Sequence, residues 1–197
     1  VDIETSRYIH AGSAQRGLHF VDAPVSGGIS GAAAGTLAFM LGGAPELMEQ
    51  ATGFIAPMSG KTIVAGGPSM GIAAKICNNM ILGVSMIAVS EAFVLGEELG
   101  LTHQALFDVA SAASGQCWAL TTNCPVPGPV PASPANRDYR PGFAAALMAK
   151  DLGLAADALD SAGVRAELGR RAGEIFRELT DAGSGGEDFS SVIKTMR

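Results

Sequence analysis

The chain has 197 residues, of which 48% are hydrophobic and 16% are charged, and its formal net charge is -6. This length is enough for one domain with a sizeable core, or for one domain and part of another. The charged fraction falls below the roughly 25% of an average soluble domain, so we expect a second subunit or another domain to cover part of the surface. The sequence contains no basic cluster, which argues against nucleic acid or a membrane as a partner.

The three cysteines, Cys77, Cys117 and Cys124, are odd in number and lack the spacing of metal ligands. This pattern favours a reducing compartment, and we predict a cytoplasmic protein without a metal site. The chain begins at Val1, in what we interpret as the middle of an α/β unit. We therefore expect it to represent the C-terminal part of a longer protein.

The first third of the chain predicts alternating helices and strands. A helical pattern over residues 5–16 stops at Gly17, and Pro45 is placed to open a second helix that ends near residue 57. Short apolar runs predict strands at residues 18–23, 36–41 and 61–65. This order is typical of the end of an α/β sheet.

After Gly67 the sequence predicts helices only. Ser69 can cap and Gly100 can end a helix about 45 Å long, which is apolar nearly all round. We expect this helix to be buried on most sides, because its charge-free stretch is shorter than the roughly 20 residues that span a bilayer. Further helices are predicted at residues 102–113, 143–162, 165–182 and 188–195, with a proline-rich connection at residues 125–141.

Two lysines, Lys75 and Lys150, lie on apolar helices, where a charged amine is costly to bury unless it is paired or its pKa falls. The ordinary explanation is that the ammonium reaches water along its apolar stem. Asn78 and Asn79, however, follow Lys75 at i+3 and i+4 and share its helix face. An amine with two carboxamides favours a site for a small oxygen-rich ligand, although a helix–helix hydrogen bond would also explain either asparagine.

A second candidate site is the loop Ser26-Gly27-Gly28, which follows the strand ending near Asp22. Two glycines let backbone N–H groups converge on an anion, and Ser26 adds a hydroxyl. Ligands commonly bind at the carboxyl ends of strands in α/β sheets, although a plain turn is the more common explanation of such a loop.

The histidines His10, His19 and His103 have no catalytic neighbours in sequence, and we predict that each lies on the surface. No G-x-G-x-x-G motif follows a strand, so we expect no pyrophosphate site within these residues.

Three stretches, DAPVSGG (22–28), GIAAKICNN (71–79) and ALMAKDLGLA (146–155), resemble signatures of the β-hydroxyacid dehydrogenase family. Residues 114–131 are similar to the members that act on 3-hydroxyisobutyrate. The resemblance runs over the whole chain and implies a mainly α fold. Residues 1–67 would form the end of a Rossmann-type NAD(P)-binding domain. Residues 68–197 would form an all-helical domain that binds substrate and makes a homodimer or higher homo-oligomer.

The same resemblance implies roles for particular residues. Lys75 would be the catalytic acid and base. The residues assigned to the substrate are Ser26, Gly27, Gly28, Asn78 and Asn79. The residues assigned to the cofactor are Lys150 and Asp151.

The implied reaction is the NAD-dependent oxidation of 3-hydroxyisobutyrate to methylmalonate semialdehyde in valine breakdown, with NADP not excluded and no metal. The shared signatures leave open tartronate-semialdehyde or glyoxylate reduction. They also leave open a helical dimerisation chain without catalysis, because the glycine-rich cofactor motif is absent. A 6-phosphogluconate substrate is disfavoured because the site region is poor in arginine, which a phosphate would require.

Overall fold

The computed structural model describes residues 1–197 and divides them into two compact units, Val1–Asn78 and Asn79–Arg197. About 63% of the chain is helical, and it contains one small sheet of three strands. The predicted fold class is confirmed: an α/β end is followed by a helical region. The units divide inside the longest helix, whereas the predicted boundary near Gly67 precedes it. That boundary stays a prediction.

The first unit is a small α/β layer. Its elements are α1 (Ile3–Gln15), β1 (Val25–Ser26), α2 (Gly28–Ala34), β2 (Leu37–Gly42), α3 (Met48–Ile55), β3 (Ser59–Gly66) and the start of α4 (Met70–Glu98). Short 3-10 turns flank α3 at Pro45–Leu47 and Ala56–Met58. The strands lie in the order β1-β2-β3, with β1 antiparallel and β3 parallel to β2. The core of this layer contains Phe39, Leu41 and Met48.

The strand predicted at residues 18–23 is wrong. Only Asp22 in that run pairs with β2, through an isolated bridge to Gly42, and the strand itself is Val25–Ser26. Residues 18–21 form a mostly apolar run, but they pair with no strand and do not join the sheet. The helix α2 is not predicted either, since its glycines disfavour a helix in sequence.

The second unit is helical. After α4 come α5 (His103–Ala112), α6 (Trp118–Thr121), α7 (Ala145–Ala162), α8 (Glu167–Leu179) and a 3-10 helix, Phe189–Met196. Between α6 and α7 lies a short 3-10 turn, Pro134–Arg137, and a π-helical turn, Thr180–Ser184, follows α8. The largest buried side chains of its core are Phe93, Met148, Leu152, Phe176 and Phe189.

The proline-rich connection is held to this core by Asp188, whose carboxylate is buried. It accepts hydrogen bonds from the Asn123 amide at 3.0 Å and from the backbone N–H groups of Gly142 at 3.0 Å and Phe143 at 3.1 Å. It also caps the final helix by accepting from Ser190 N, as predicted. Asp188 thus ties the residues on both sides of the connection to the final helix.

The predicted burial of α4 on most sides is wrong for the single chain. This helix is long and apolar enough to cross a membrane by length and composition alone, and only 39% of its most apolar window is buried. Ile81 and Leu95 are exposed, as is Leu99 just beyond the helix, because no element of this chain covers the face on which they lie.

Candidate active site

The helix α4 carries the amine and carboxamides that the sequence singles out. Lys75 is partly buried, Asn79 is 1% exposed and Asn78 is exposed. Lys75 and Asn79 are four residues apart on a continuous helix, so their side chains leave the same face one turn from each other. Asn78 lies on a more open side, which separates the two asparagines that the sequence treats together.

Asn79 forms the most constrained contact of this region. Its Nδ2 donates to Asp151 Oδ2 on α7 over 2.5 Å, and Asp151 is 7% exposed. Because a carboxylate only accepts hydrogen bonds, the Asn79 nitrogen must face Asp151, which fixes the orientation of the amide. A charge-assisted bond between two buried groups is stronger than one between neutral partners.

Lys150 joins the same network from the neighbouring position on α7. Its Nζ lies 2.5 Å from Asp151 Oδ1, while its side chain is 56% exposed. The two oxygens of Asp151 therefore serve different partners, a buried amide and a half-exposed ammonium. The structure thus brings Asn79, which the resemblance assigns to the substrate, together with Lys150 and Asp151, which it assigns to the cofactor.

The loop Ser26-Gly27-Gly28 lies in the first unit, between β1 and α2. Gly27 has φ 133° and Gly28 has φ 60°, and both values fall in the region that favours glycine. Gly27 and Gly28 are exposed and Ser26 is half-buried, so the backbone N–H groups of this turn are accessible. This geometry is compatible with the predicted carboxylate-binding loop.

The prediction that all three histidines lie on the surface is wrong for His10, whereas His103 lies at the surface with its side chain 30% exposed. His10 Nε2 is 2.8 Å from Asp22 Oδ1, and the two side chains are 10% and 4% exposed. His103 Nε2 is 2.6 Å from Glu97 Oε1. His19 is exposed. The partner of His10 is twelve residues away in sequence, so no local signal indicates the pair.

The structure contains no group of three or more His, Cys, Asp or Glu residues that could hold a metal ion. A nicotinamide cofactor is compatible with the residues present. Lys150 presents a half-exposed ammonium that Asp151 anchors, and such a donor suits the carboxamide or hydroxyl oxygens of a nicotinamide nucleoside.

Two family models match almost the whole chain. Residues 1–67 match the NAD binding domain of 6-phosphogluconate dehydrogenase. Residues 69–196 match the model described as NAD-binding of NADP-dependent 3-hydroxyisobutyrate dehydrogenase.

Curated relatives extend this agreement. A probable 3-hydroxyisobutyrate dehydrogenase of Mycobacterium tuberculosis is 52% identical over 197 residues, which cover 100% of this chain and 67% of the relative. The chain therefore belongs to the β-hydroxyacid dehydrogenase family. An NAD-dependent L-serine dehydrogenase of Pseudomonas aeruginosa is 44% identical over 96% of this chain and 64% of its own length.

A solved structure agrees with the family assignment. The Mycobacterium tuberculosis 3-hydroxyisobutyrate dehydrogenase with L-serine has a TM-score of 0.96 at 52% identity, over 100% of this chain and 67% of that chain. As a β-hydroxyacid dehydrogenase, the chain is an NAD-dependent oxidoreductase, and its Lys75 and Asn79 lie on the helix that carries the family signature GIAAKICNN.

Proposed function

We propose that this β-hydroxyacid dehydrogenase oxidises 3-hydroxyisobutyrate to methylmalonate semialdehyde, as in valine breakdown, with Lys75 as the acid and base. The observation that carries the proposal is the orientation of Asn79 by Asp151, one helical turn from Lys75. The 52% identity to a probable 3-hydroxyisobutyrate dehydrogenase supports the choice of substrate.

The reaction removes a hydride and a proton from a hydroxymethyl group. The cofactor, when bound, accepts the hydride. The Lys75 amine takes the hydroxyl proton, and in the reverse direction its ammonium returns that proton to the carbonyl oxygen. Such a step needs a neutral amine at the moment of proton transfer.

The remaining residues orient the substrate and cofactor. Ser26 and the backbone N–H groups of Gly27 and Gly28 hold the substrate carboxylate. The fixed amide of Asn79 aligns the hydroxyl group, and Asn78 supports it from the open side. Holding both ends of a small molecule supplies a large share of the catalytic effect, because misalignment is costly. Lys150 and Asp151 would contact the nicotinamide side of the site.

L-serine is the second candidate substrate. It is supported by the L-serine dehydrogenase among the relatives and by the similar solved structure, which is that of a dehydrogenase with L-serine. Both substrates have a hydroxymethyl group two bonds from a carboxylate, and they differ by a methyl group against an ammonium. The sequence alternatives, tartronate-semialdehyde and glyoxylate reduction, rest on the shared family signatures alone.

Steady-state assays of the full-length protein test this choice. We expect kcat/KM for 3-hydroxyisobutyrate with NAD to exceed the values for L-serine, glycerate and glycolate by at least tenfold. NADP serves as a parallel cofactor. A higher kcat/KM for L-serine would make L-serine the proposed substrate. No turnover of any of these four compounds would contradict both candidate substrates.

We also propose that the helical region forms a homodimer or higher homo-oligomer through the exposed apolar face of α4. The predicted cytoplasmic location stays a prediction.

A further inference from the structure

The structure assigns a positioning role to the buried pair His10 and Asp22: together they fix the start of α4, and thereby Lys75, in the first unit. This inference rests on the proposed function of Lys75. The pair lies outside the residues that the family signatures assign to substrate and cofactor.

Asp22 closes the N-terminus of α4 from a distant part of the sequence. Its Oδ1 accepts from Ser69 N at 2.8 Å, and its Oδ2 accepts from Ile72 N at 2.8 Å. The first N–H groups of a helix have no partners within the helix, and a carboxylate at this end is also favoured by the helix dipole. Both oxygens of one buried side chain are thus committed to the first turn of α4.

The backbone of Asp22 is fixed as firmly as its carboxylate. Asp22 N donates to Gly42 O at 2.9 Å, and Gly42 N donates to Asp22 O at 2.8 Å. A Cβ on Gly42 would lie 2.6 Å from Asp22 Oδ1, and one on Gly71 would lie 2.8 Å from Asp22 Oδ2. Two glycines therefore make room for the carboxylate between β2 and α4.

His10 completes the arrangement from α1. Its Nε2 is 2.8 Å from Asp22 Oδ1, and its ring packs edge-on against Phe20 with centroids 4.7 Å apart. With Nε2 carrying the hydrogen, His10 donates to Asp22 Oδ1; Ser69 N, which is 3.3 Å from the same nitrogen, then donates to Asp22 Oδ1 at 2.8 Å. His10 therefore restricts Asp22 to the rotamer that reaches both N–H groups of α4.

The strained backbone of Ser69 indicates that the surrounding contacts hold the start of α4 firmly in place. Ser69 is fully buried and has φ 68°, a left-handed conformation that is strained for a residue with a side chain. Such a conformation persists only where surrounding contacts enforce it, and here the contact is the bond from Ser69 N to Asp22. Strained residues of this kind cluster at functional sites.

The consequence for catalysis follows from spacing along the chain. Lys75 is three residues beyond Ile72, so it stands on the neighbouring turn above the N–H group that Asp22 holds. Ser26, at the other end of the short segment that begins at Asp22, opens the proposed carboxylate-binding loop. A shift of Asp22 would move the amine and the loop together, and a displacement of about 1 Å can lower a rate about a hundredfold.

The test compares variants of the full-length protein in kcat, KM and thermal unfolding. His10→Phe keeps a ring against Phe20 but removes the N–H donor, whereas His10→Gln keeps a donor at a similar reach. We expect kcat per folded molecule to fall at least fivefold in His10→Phe, with KM for the cofactor unchanged, and to return to within twofold of the parent in His10→Gln.

Two control variants separate positioning from stability and from the proposed function itself. Met48→Ala weakens the sheet core of the same unit but removes none of the hydrogen bonds of Asp22, and we expect its kcat per folded molecule to stay within twofold. The positioning role would be overturned if kcat fell less than fivefold in His10→Phe, or if kcat did not recover in His10→Gln. An equal loss of kcat in Met48→Ala would also overturn it. Full activity in Lys75→Ala would instead remove the proposed function.

Discussion

Asp151 shows how one buried carboxylate can join residues that are far apart in sequence. It accepts from Asn79, 72 residues earlier, and from the adjacent Lys150. The Lys150 contact is half-exposed, so we assign it about 0–1 kcal/mol of stability. The Asn79 bond matters more, because its loss leaves a buried amide without this partner.

We predict that Asp151→Ala lowers the free energy of unfolding by about 1–3 kcal/mol, the usual range for losing a hydrogen bond to a charged group. Urea denaturation of the parent and variant measures this difference. Asp157→Ala, at an exposed position on the same helix, is the matched control and should change stability by about 0.5 kcal/mol or less. Equal stabilities of the two variants would show that the Asn79 contact contributes nothing.

The sequence could predict these residues individually but not their partners. Lys75, Asn79 and Asp151 stand out because polar groups on apolar helices are unusual and because they lie in family signatures. Their assigned roles stay predictions. The buried pair of His10 and Asp22 gives no signal, since the contact depends on how α1, the 18–26 segment and α4 pack. The surface location predicted for His10 is therefore wrong.

Helix α4 depends on close backbone contacts at its first turn. A Cβ on Gly71 would lie 2.3 Å from Met40 O, and this distance leaves no room for alanine. Gly153, in the middle of α7, has nothing within 4 Å of the corresponding position. Both glycines lie in helices, so they form a matched pair for which alanine is expected to have opposite effects on stability.

We predict that Gly71→Ala destabilises the protein by about 2 kcal/mol or more, since the helix or β2 must move. We predict that Gly153→Ala stabilises it by about 0.5–1 kcal/mol, because alanine loses less backbone entropy in a helix. Thermal and urea unfolding give both values. The same sign for the two substitutions would be inconsistent with the packing described for α4.

The C-terminal end of α4 is tied to the end of the chain by Glu97. Its carboxylate accepts from His103 Nε2 at 2.6 Å and from Arg197 Nη2 at 2.5 Å. Partial burial acts to raise the pKa of Glu97, but the hydrogen bonds from His103 and Arg197 outweigh it, so the pKa lies below its usual value. A lowered carboxyl pKa stabilises the fold above the unfolded pKa of about 4.3.

We predict that the stability difference between the parent and Glu97→Gln is full at pH 6 and shrinks as the pH falls below the usual glutamate pKa and through the lowered Glu97 pKa of the folded protein. The reason is that the protonated carboxyl no longer attracts His103 and Arg197. Urea denaturation at several pH values measures the difference. A difference that grows on acidification would contradict the direction of the pKa shift.

Most helices could be predicted because their ends carry clear chemical signals. Thr102 caps α5 through Ala105 N, Gly163 ends α7 with φ 64°, and Asp188 caps the last helix, all as the sequence suggests. The sheet is harder to predict, because a strand needs a partner that its own sequence does not reveal. The apolar run at residues 18–23 therefore forms a single bridge, and the two-residue β1 follows Pro24.

At the scale of the whole molecule, the exposed apolar face of α4 is the main unexplained surface. Ile81 and Leu95 lie along it, with Leu99 just beyond the end of the helix, and a groove of about 540 Å³ between α4 and the start of α8 includes Ile81 and Leu168. Large exposed apolar surfaces usually mark association sites. The low charged fraction of the sequence also predicts an association surface, but it does not indicate which part of the chain forms that surface.

We predict that Leu95→Glu lowers the molar mass of the full-length protein in solution to that of a monomer, because a charge in an apolar interface must be desolvated. Size-exclusion chromatography with light scattering measures the mass. Phe54→Glu, at an exposed apolar position on α3, is the control and should leave the mass unchanged. A monomeric parent, or an unchanged mass in Leu95→Glu, would contradict association through this face.

The most direct test of the proposed chemistry is the turnover of Lys75→Ala with NAD and 3-hydroxyisobutyrate. We predict that kcat falls by about 10²–10⁴, the range for loss of a positioned acid–base group, while the unfolding temperature changes little. Lys61→Ala, at an exposed lysine of β3, should retain kcat within twofold. A Lys75→Ala enzyme with kcat within tenfold of the parent would show that this amine does not transfer the proton.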